Sequence, residues 1–75
     1  MEEIVEITIE NFEDFSYDEH DKLIVNQCMI TISKIERKQE GYEPSYTFVG
    51  TRNNLIWFLD RYLCKHEIDD IMDGV

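Results

Sequence analysis

Positive charge is scarce in this chain and missing from its first 21 residues, where nine Asp or Glu stand without a single Lys or Arg. The whole 75 residues hold 7 Lys and Arg against 17 Asp and Glu, a formal charge of −10 with a pI near 4.3. Nucleic acid and anionic lipid surfaces are bound through a basic footprint, so neither is an expected direct ligand. Long apolar runs are lacking as well. The longest, Leu55 to Leu59, falls far short of the roughly 20 residues that cross a bilayer. Met1–Glu10 shows no basic start followed by an apolar stretch, so no secretory leader is expected and the cytoplasm is the expected compartment. Cysteine is confined to Cys28 and Cys64. Without an export signal, a disulfide framework has no support. There is no internal repeat and no low-complexity linker.

What is present suffices to fold. Ile, Leu, Val and Phe supply 22 of the 75 residues, and four Tyr and one Trp add large buriable area. That content lies above the level of disordered chains. A chain this short forms one domain, residues 1–75, and buries only roughly 60% of its unfolded surface. Marginal stability follows, and self-repulsion of the excess carboxylates works against compaction. Dimerisation or partner binding would relieve it. The acidity is also segregated: residues 22–66 contain all seven bases with four acids, and residues 67–75 contain four acids with no base. Two acidic ends flank a mildly basic middle.

Periodicity predicts an α+β fold. Glu3–Glu10 alternates as a strand, with Val5, Ile7 and Ile9 on one face and Glu2, Glu6, Thr8 and Glu10 on the other. Asn11–Lys22 reads as a connection, where Ser16 and Glu19 have capping-box spacing. Leu23–Val25 and Met29–Arg37 are β-rich, with a parity break at Ile35 that predicts a bulge near Ser33–Lys34. The turn is expected in Gln39–Pro44, followed by a strand at Ser45–Val49 that completes a hairpin. Thr51 is placed to cap a helix Arg52–Lys65, whose Leu55, Phe58, Leu59, Tyr62 and Leu63 form an apolar stripe. Glu67–Asp73 forms a short acidic terminal helix with Ile68, Ile71 and Met72 on one side. The expected architecture is a small antiparallel sheet of three to four strands packed by a C-terminal α-helix.

Trp57 is the most informative side chain. It lies about 160° around the helix from Leu59, so the sheet-facing stripe does not bury it. Either the terminal helix folds back over it, or it is an exposed anchor for a partner, with Arg61 four residues on placed to stack against the indole. Cys28, Cys64, His20 and His66 lack the paired spacing of a zinc knuckle, so no metal is expected. No nucleophile elbow, Gly-rich phosphate loop or HExxH is present. Asp69 and Asp70 point in different directions on a helix. No catalytic residue, cofactor or enzymatic activity is therefore expected.

The acidic N-terminal segment is the remaining candidate. Glu2, Glu6 and Glu10 form a carboxylate row on the strand, and Glu13, Asp14, Asp18, Glu19 and Asp21 extend it through the connection. Such a row offers Lys and Arg what a phosphate backbone offers, regular negative charge with accepting oxygens. Phe12, Phe15 and Tyr17 interleave with it and would add apolar grip. The plainer interpretation is a solvated acidic exterior, which charge runs usually are. In length, pI, the Glu2–Glu6–Glu10 row and the Glu13–Asp21 cluster, the chain resembles the small acidic single-domain proteins of bacteriophages and mobile elements. That class includes anti-CRISPR proteins and DNA mimics. The resemblance implies a non-enzymatic inhibitor or regulator of a basic nucleic-acid-binding protein, such as a nuclease or other defence enzyme. Its partner-binding residues would be those acids with Trp57 and Arg61. A small homodimeric adaptor using the Trp57 face and an antitoxin-like neutraliser are the alternatives.

Overall fold

The computed structural model describes residues 3–37 and 44–75. Glu2 and most of the turn expected in Gln39–Pro44 lie outside them. The elements run β1 (Ile4–Ile9), α1 (Glu19–Gln27), β2 (Thr31–Glu36), β3 (Ser45–Thr51), α2 (Arg52–Leu59) and α3 (Lys65–Met72). They form a small α+β fold. The three strands make one sheet in the order β1-β3-β2, with β3 antiparallel to both neighbours. β1 and β2 are thus parallel and separated by β3, and α1 carries the chain across. No helix among the described residues is long and apolar enough to cross a membrane.

The two-residue period places Val5, Ile7 and Ile9 opposite Gly50, Phe48 and Tyr46 of β3. Those rows face the helices. On β2 the register slips between Ile32, opposite Phe48, and Lys34, opposite Thr47. The extra residue at Ser33 is what turns both Ile32 and Ile35 toward the helix side, the parity break seen in the sequence. Ile4, Glu6, Thr8, Thr31 and Lys34 occupy the other face, which no helix covers, and all five are exposed.

Leu23–Val25 is helical, contrary to the β-rich expectation. Asp18 caps α1, its Oδ1 accepting the Asp21 N–H at 2.9 Å. Ile24, Val25 and Cys28 are buried at successive turns behind it. Asp21 completes their i, i+3, i+4, i+7 stripe. A carboxylate at the first position of that stripe hides the helical period from a hydrophobicity pattern.

The helix expected over Arg52–Lys65 stops at Leu59. Thr51 caps it as expected, accepting the Asn54 N–H through its hydroxyl at 3.2 Å. Tight turns then follow, with Tyr62 and Leu63 N–H both donating to Leu59 O. They redirect the chain so that α3 packs on β1 and α2. Ile68 and Met72 of α3 are buried.

The core is aromatic. Phe15 has no exposed surface and meets Tyr46, Phe48, Phe58 and Tyr62 edge-on, the Tyr46 ring centroid lying at 4.9 Å. Phe12 and Tyr17 stack on Phe15 at 5.4 and 5.8 Å. Each such pair adds about 0.5–1.5 kcal/mol beyond area burial. Phe12 and Phe15 therefore point inward, and the apolar grip expected of them is not offered to a partner, whereas Tyr17 is half-buried. The chain between β1 and α1 is pinned by its rings, which is how so charged a segment is held in place.

Candidate partner-binding surfaces

The acids of the N-terminal segment divide into two groups. Glu6, Glu10, Glu13, Asp14, Asp18 and Glu19 are exposed, whereas Asp21 is buried at 5% exposure. β1 ends where Ile9 faces Tyr46, beside the Glu36–Ser45 pair, and α1 starts its return from the same end. Topology thus brings Glu10, Glu13, Asp14, Asp18 and Glu19 to one end of the sheet. Glu6 lies about 13 Å back from Glu10 along the strand, on the uncovered face. Among the described residues cations also stand at this end, where Arg37 follows Glu36. Lys22 Nζ sits 3.9 Å from Glu19 and 5.4 Å above the Tyr17 ring, and Lys34 pairs with Glu36 at 3.0 Å. Exposed pairs of this kind contribute about 0–1 kcal/mol and leave the local potential negative.

Asp21 has to be removed from the expected partner-binding set. Its Oδ2 accepts the N–H groups of Ser16 and Tyr17 at 2.9 and 3.0 Å and the Ser16 hydroxyl at 3.3 Å. Its Oδ1 accepts the Tyr62 hydroxyl at 2.7 Å. Burial pushes the Asp21 carboxyl up, but the hydrogen bonds from Tyr62, Ser16 and Tyr17 prevail and hold it below its ordinary 3.8. Tyr62 is driven well above its ordinary value, by burial first and then by its hydrogen bond to the Asp21 carboxylate and that group's charge. The same carboxylate supports Tyr17, whose backbone has φ 56°. A bulky residue in that left-handed region costs on the order of 1–3 kcal/mol. One buried acid therefore fixes the turn that displays its exposed neighbours, and ties that turn to the α2–α3 connection. Tyr62 is the residue that sequence reasoning missed in this role; its place on the apolar stripe of the expected helix Arg52–Lys65 marked it as a packing residue only.

The second surface is on α2. Trp57 is 53% exposed and Ile56 37%. The Arg61 guanidinium carbon lies 5.7 Å from the centre of the indole, as the four-residue spacing predicts. The terminal helix does not close over Trp57. It runs beside α2 and leaves a groove of about 630 Å³, lined from α2 by Ile56 and Trp57 and from α3 by Ile68 and Met72. Cys64 is an exposed free thiol whose Sγ donates to Glu67 Oε1 at 3.3 Å, and Cys28 is a buried one. Among the described residues no group of three or more His, Cys, Asp or Glu is arranged to hold a metal ion.

No protein-family model, no curated protein and no solved structure matches this chain.

Proposed function

We propose that this chain is a non-enzymatic binding protein that works in the cytoplasm. It presents its acidic end to a basic, nucleic-acid-binding protein and inhibits or regulates that partner by occupying its groove, in the manner of a phage-type DNA mimic. One observation carries this reading. Five carboxylates, on Glu10, Glu13, Asp14, Asp18 and Glu19, stand exposed at one end of the sheet, on a turn immobilised from beneath by Phe12, Phe15 and Asp21. Carboxylates carried on a fixed backbone bind Lys and Arg with less ordering cost than those on a flexible one. Opposite charge steers association and makes it sensitive to salt.

The test is charge reversal at exposed acids that cap no helix, Glu6→Lys, Glu10→Lys, Glu13→Lys and Asp14→Lys together, with circular dichroism establishing that the variant is folded. Asp18 is left intact because it caps α1. Wild type immobilised in nuclease-treated bacterial lysate should retain nucleic-acid enzymes that added duplex DNA releases, and the quadruple variant should retain none. Equal retention by both proteins would remove the proposal. The exposed Trp57 face favours a second reading, an adaptor that assembles through α2.

A further inference from the structure

The sequence of α3 does little to hold it helical. Its eight residues fall below the roughly 12–15 that an isolated helix needs in water. Cys64 stands at the N-cap and makes no side-chain capping bond. The charge order, Glu67 excepted, opposes the helix dipole. Lys65 and His66 open the helix, whereas Asp69 and Asp70 lie toward its C-terminal end and Asp73 is the C-cap. Burial is confined to Ile68 and Met72, with Ile71 half-buried, and the other side chains of α3 are exposed. Its place in the fold is therefore set from outside. At the root, Tyr62 is tied to Asp21 at 2.7 Å, and the Tyr62 and Leu63 N–H groups donate to Leu59 O. At the tip, Arg52 donates through Nη1 to Val75 O at 2.6 Å and through Nη2 to Met72 O at 3.2 Å. Met72 O also accepts the Val75 N–H, so one guanidinium pins the turn that ends α3. Carbonyls of a last helical turn lack intrahelical donors, and a cation beside them is favourable. Arg52 is itself the first residue of α2, where that helix's dipole disfavours a positive charge. Its contacts serve α3.

We propose that α3 is a strap that opens as a unit while the rest of the chain stays folded, hinged at Cys64 and latched by Arg52. An element held by two buried side chains and one partly exposed latch opens at a lower free energy than the core. The hinge falls at Cys64 because the chain is fixed as far as Leu63 and nothing caps the helix that follows. Opening withdraws Ile68 and Met72 from the groove they share with Ile56 and Trp57 and bares the surfaces of α2 and β1 on which α3 packs. The latch thereby sets how much apolar surface the chain shows. The inference rests on residues separate from the acidic end and does not depend on that surface.

Native-state hydrogen exchange on the full chain tests this. The amides of Ile68 and Asp73, which donate to Cys64 O and Asp69 O, are compared with those of β3, the central strand. Corrected for intrinsic rates, the α3 amides should exchange at least about tenfold faster than the β3 amides and depend less on urea. Two variants separate local from global opening, and circular dichroism establishes that each is folded. Ile24→Val trims a buried residue of α1 that stays packed whether the strap is closed or open. It should speed β3 exchange about two- to tenfold and leave α3 exchange unchanged. Arg52→Gln removes the latch and should speed α3 exchange about tenfold. The latch is absent from the open and the unfolded states alike, so β3 exchange should rise by the same factor. Equal acceleration of α3 and β3 by Ile24→Val would overturn the strap, because α3 would then open only with the whole chain. An α3 exchange rate in Arg52→Gln within about twofold of wild type would overturn Arg52 as its latch.

Discussion

Replacing Tyr62 by Phe removes one oxygen and keeps the ring among Phe12, Phe15 and Phe58. The loss falls on a single contact, the 2.7 Å hydrogen bond to Asp21 Oδ1. A neutral hydroxyl donating to a carboxylate is worth about 1.5–3 kcal/mol. Asp21 is 5% exposed, so little water can take the place of the missing donor. For a domain of this size each kcal/mol moves Tm by about 4–8 °C, and the expected drop is roughly 6–24 °C. In urea the midpoint should fall while the m-value stays constant, because the surface exposed on unfolding is unchanged. The pH dependence has a definite sign. Asp21 is held below 3.8, so its contribution is present above that pH and is lost as pH falls through the lowered folded value. In Tyr62→Phe the folded value moves back toward 3.8, and the acid-side loss shrinks. At the alkaline end Tyr62 is held above 10, so wild type keeps that stability below pH 10 and loses it as pH rises through the raised value. The variant has no such loss. A double-mutant cycle with Asp21→Asn should give a coupling of about 1 kcal/mol. A cost below about 0.5 kcal/mol for Tyr62→Phe, or strict additivity in the cycle, would refute the hydroxyl–carboxylate link.

Three other changes test the framework. In Gly50→Ala the new Cβ would meet Ile30 Cγ2 at 2.9 Å; Ile30 is buried, and displacing it should cost about 1–3 kcal/mol in thermal or urea unfolding. Thr51→Ala should cost about 1 kcal/mol through loss of the cap on α2, with circular dichroism showing a lower Tm. Phe15→Ala removes the centre of the aromatic cluster and should cost about 3–5 kcal/mol, enough in a marginal domain to abolish near-UV dichroism and bring on dye binding.

The strands were legible in the sequence because their signal is local. Alternation in Val5–Ile9 and Tyr46–Phe48 sets which side chains face inward, and the parity break at Ile35 located the bulge. Thr51 was legible as a cap for the same reason, since capping involves only residues within one turn. The first helix was not legible. Its stripe begins with Asp21, and nothing nearby in the chain announces that a carboxylate there will be met by a tyrosine 41 positions on.

The charge layout was readable as a list but not as a surface. Alternation alone placed Glu6 and Glu10 outward, and composition alone showed that bases are missing from the first 21 residues. Whether Asp21 or Phe15 would join the outer surface depended on packing against residues from β3, α2 and the α2–α3 connection. Tertiary contact withdrew both, and so converted an apparent mixed aromatic–acidic patch into carboxylates mounted on a hydrophobic anchor.

Trp57 divides in the same way. Helical periodicity alone determined that it points away from the sheet. Its exposure was decided by the path of α3, which depends on the turns after Leu59 and on where Ile68 and Met72 find burial. Short-range pattern determines the direction of a side chain because bond geometry repeats along the chain. What covers that side chain is decided by segments distant in sequence, whose position only the assembled core sets.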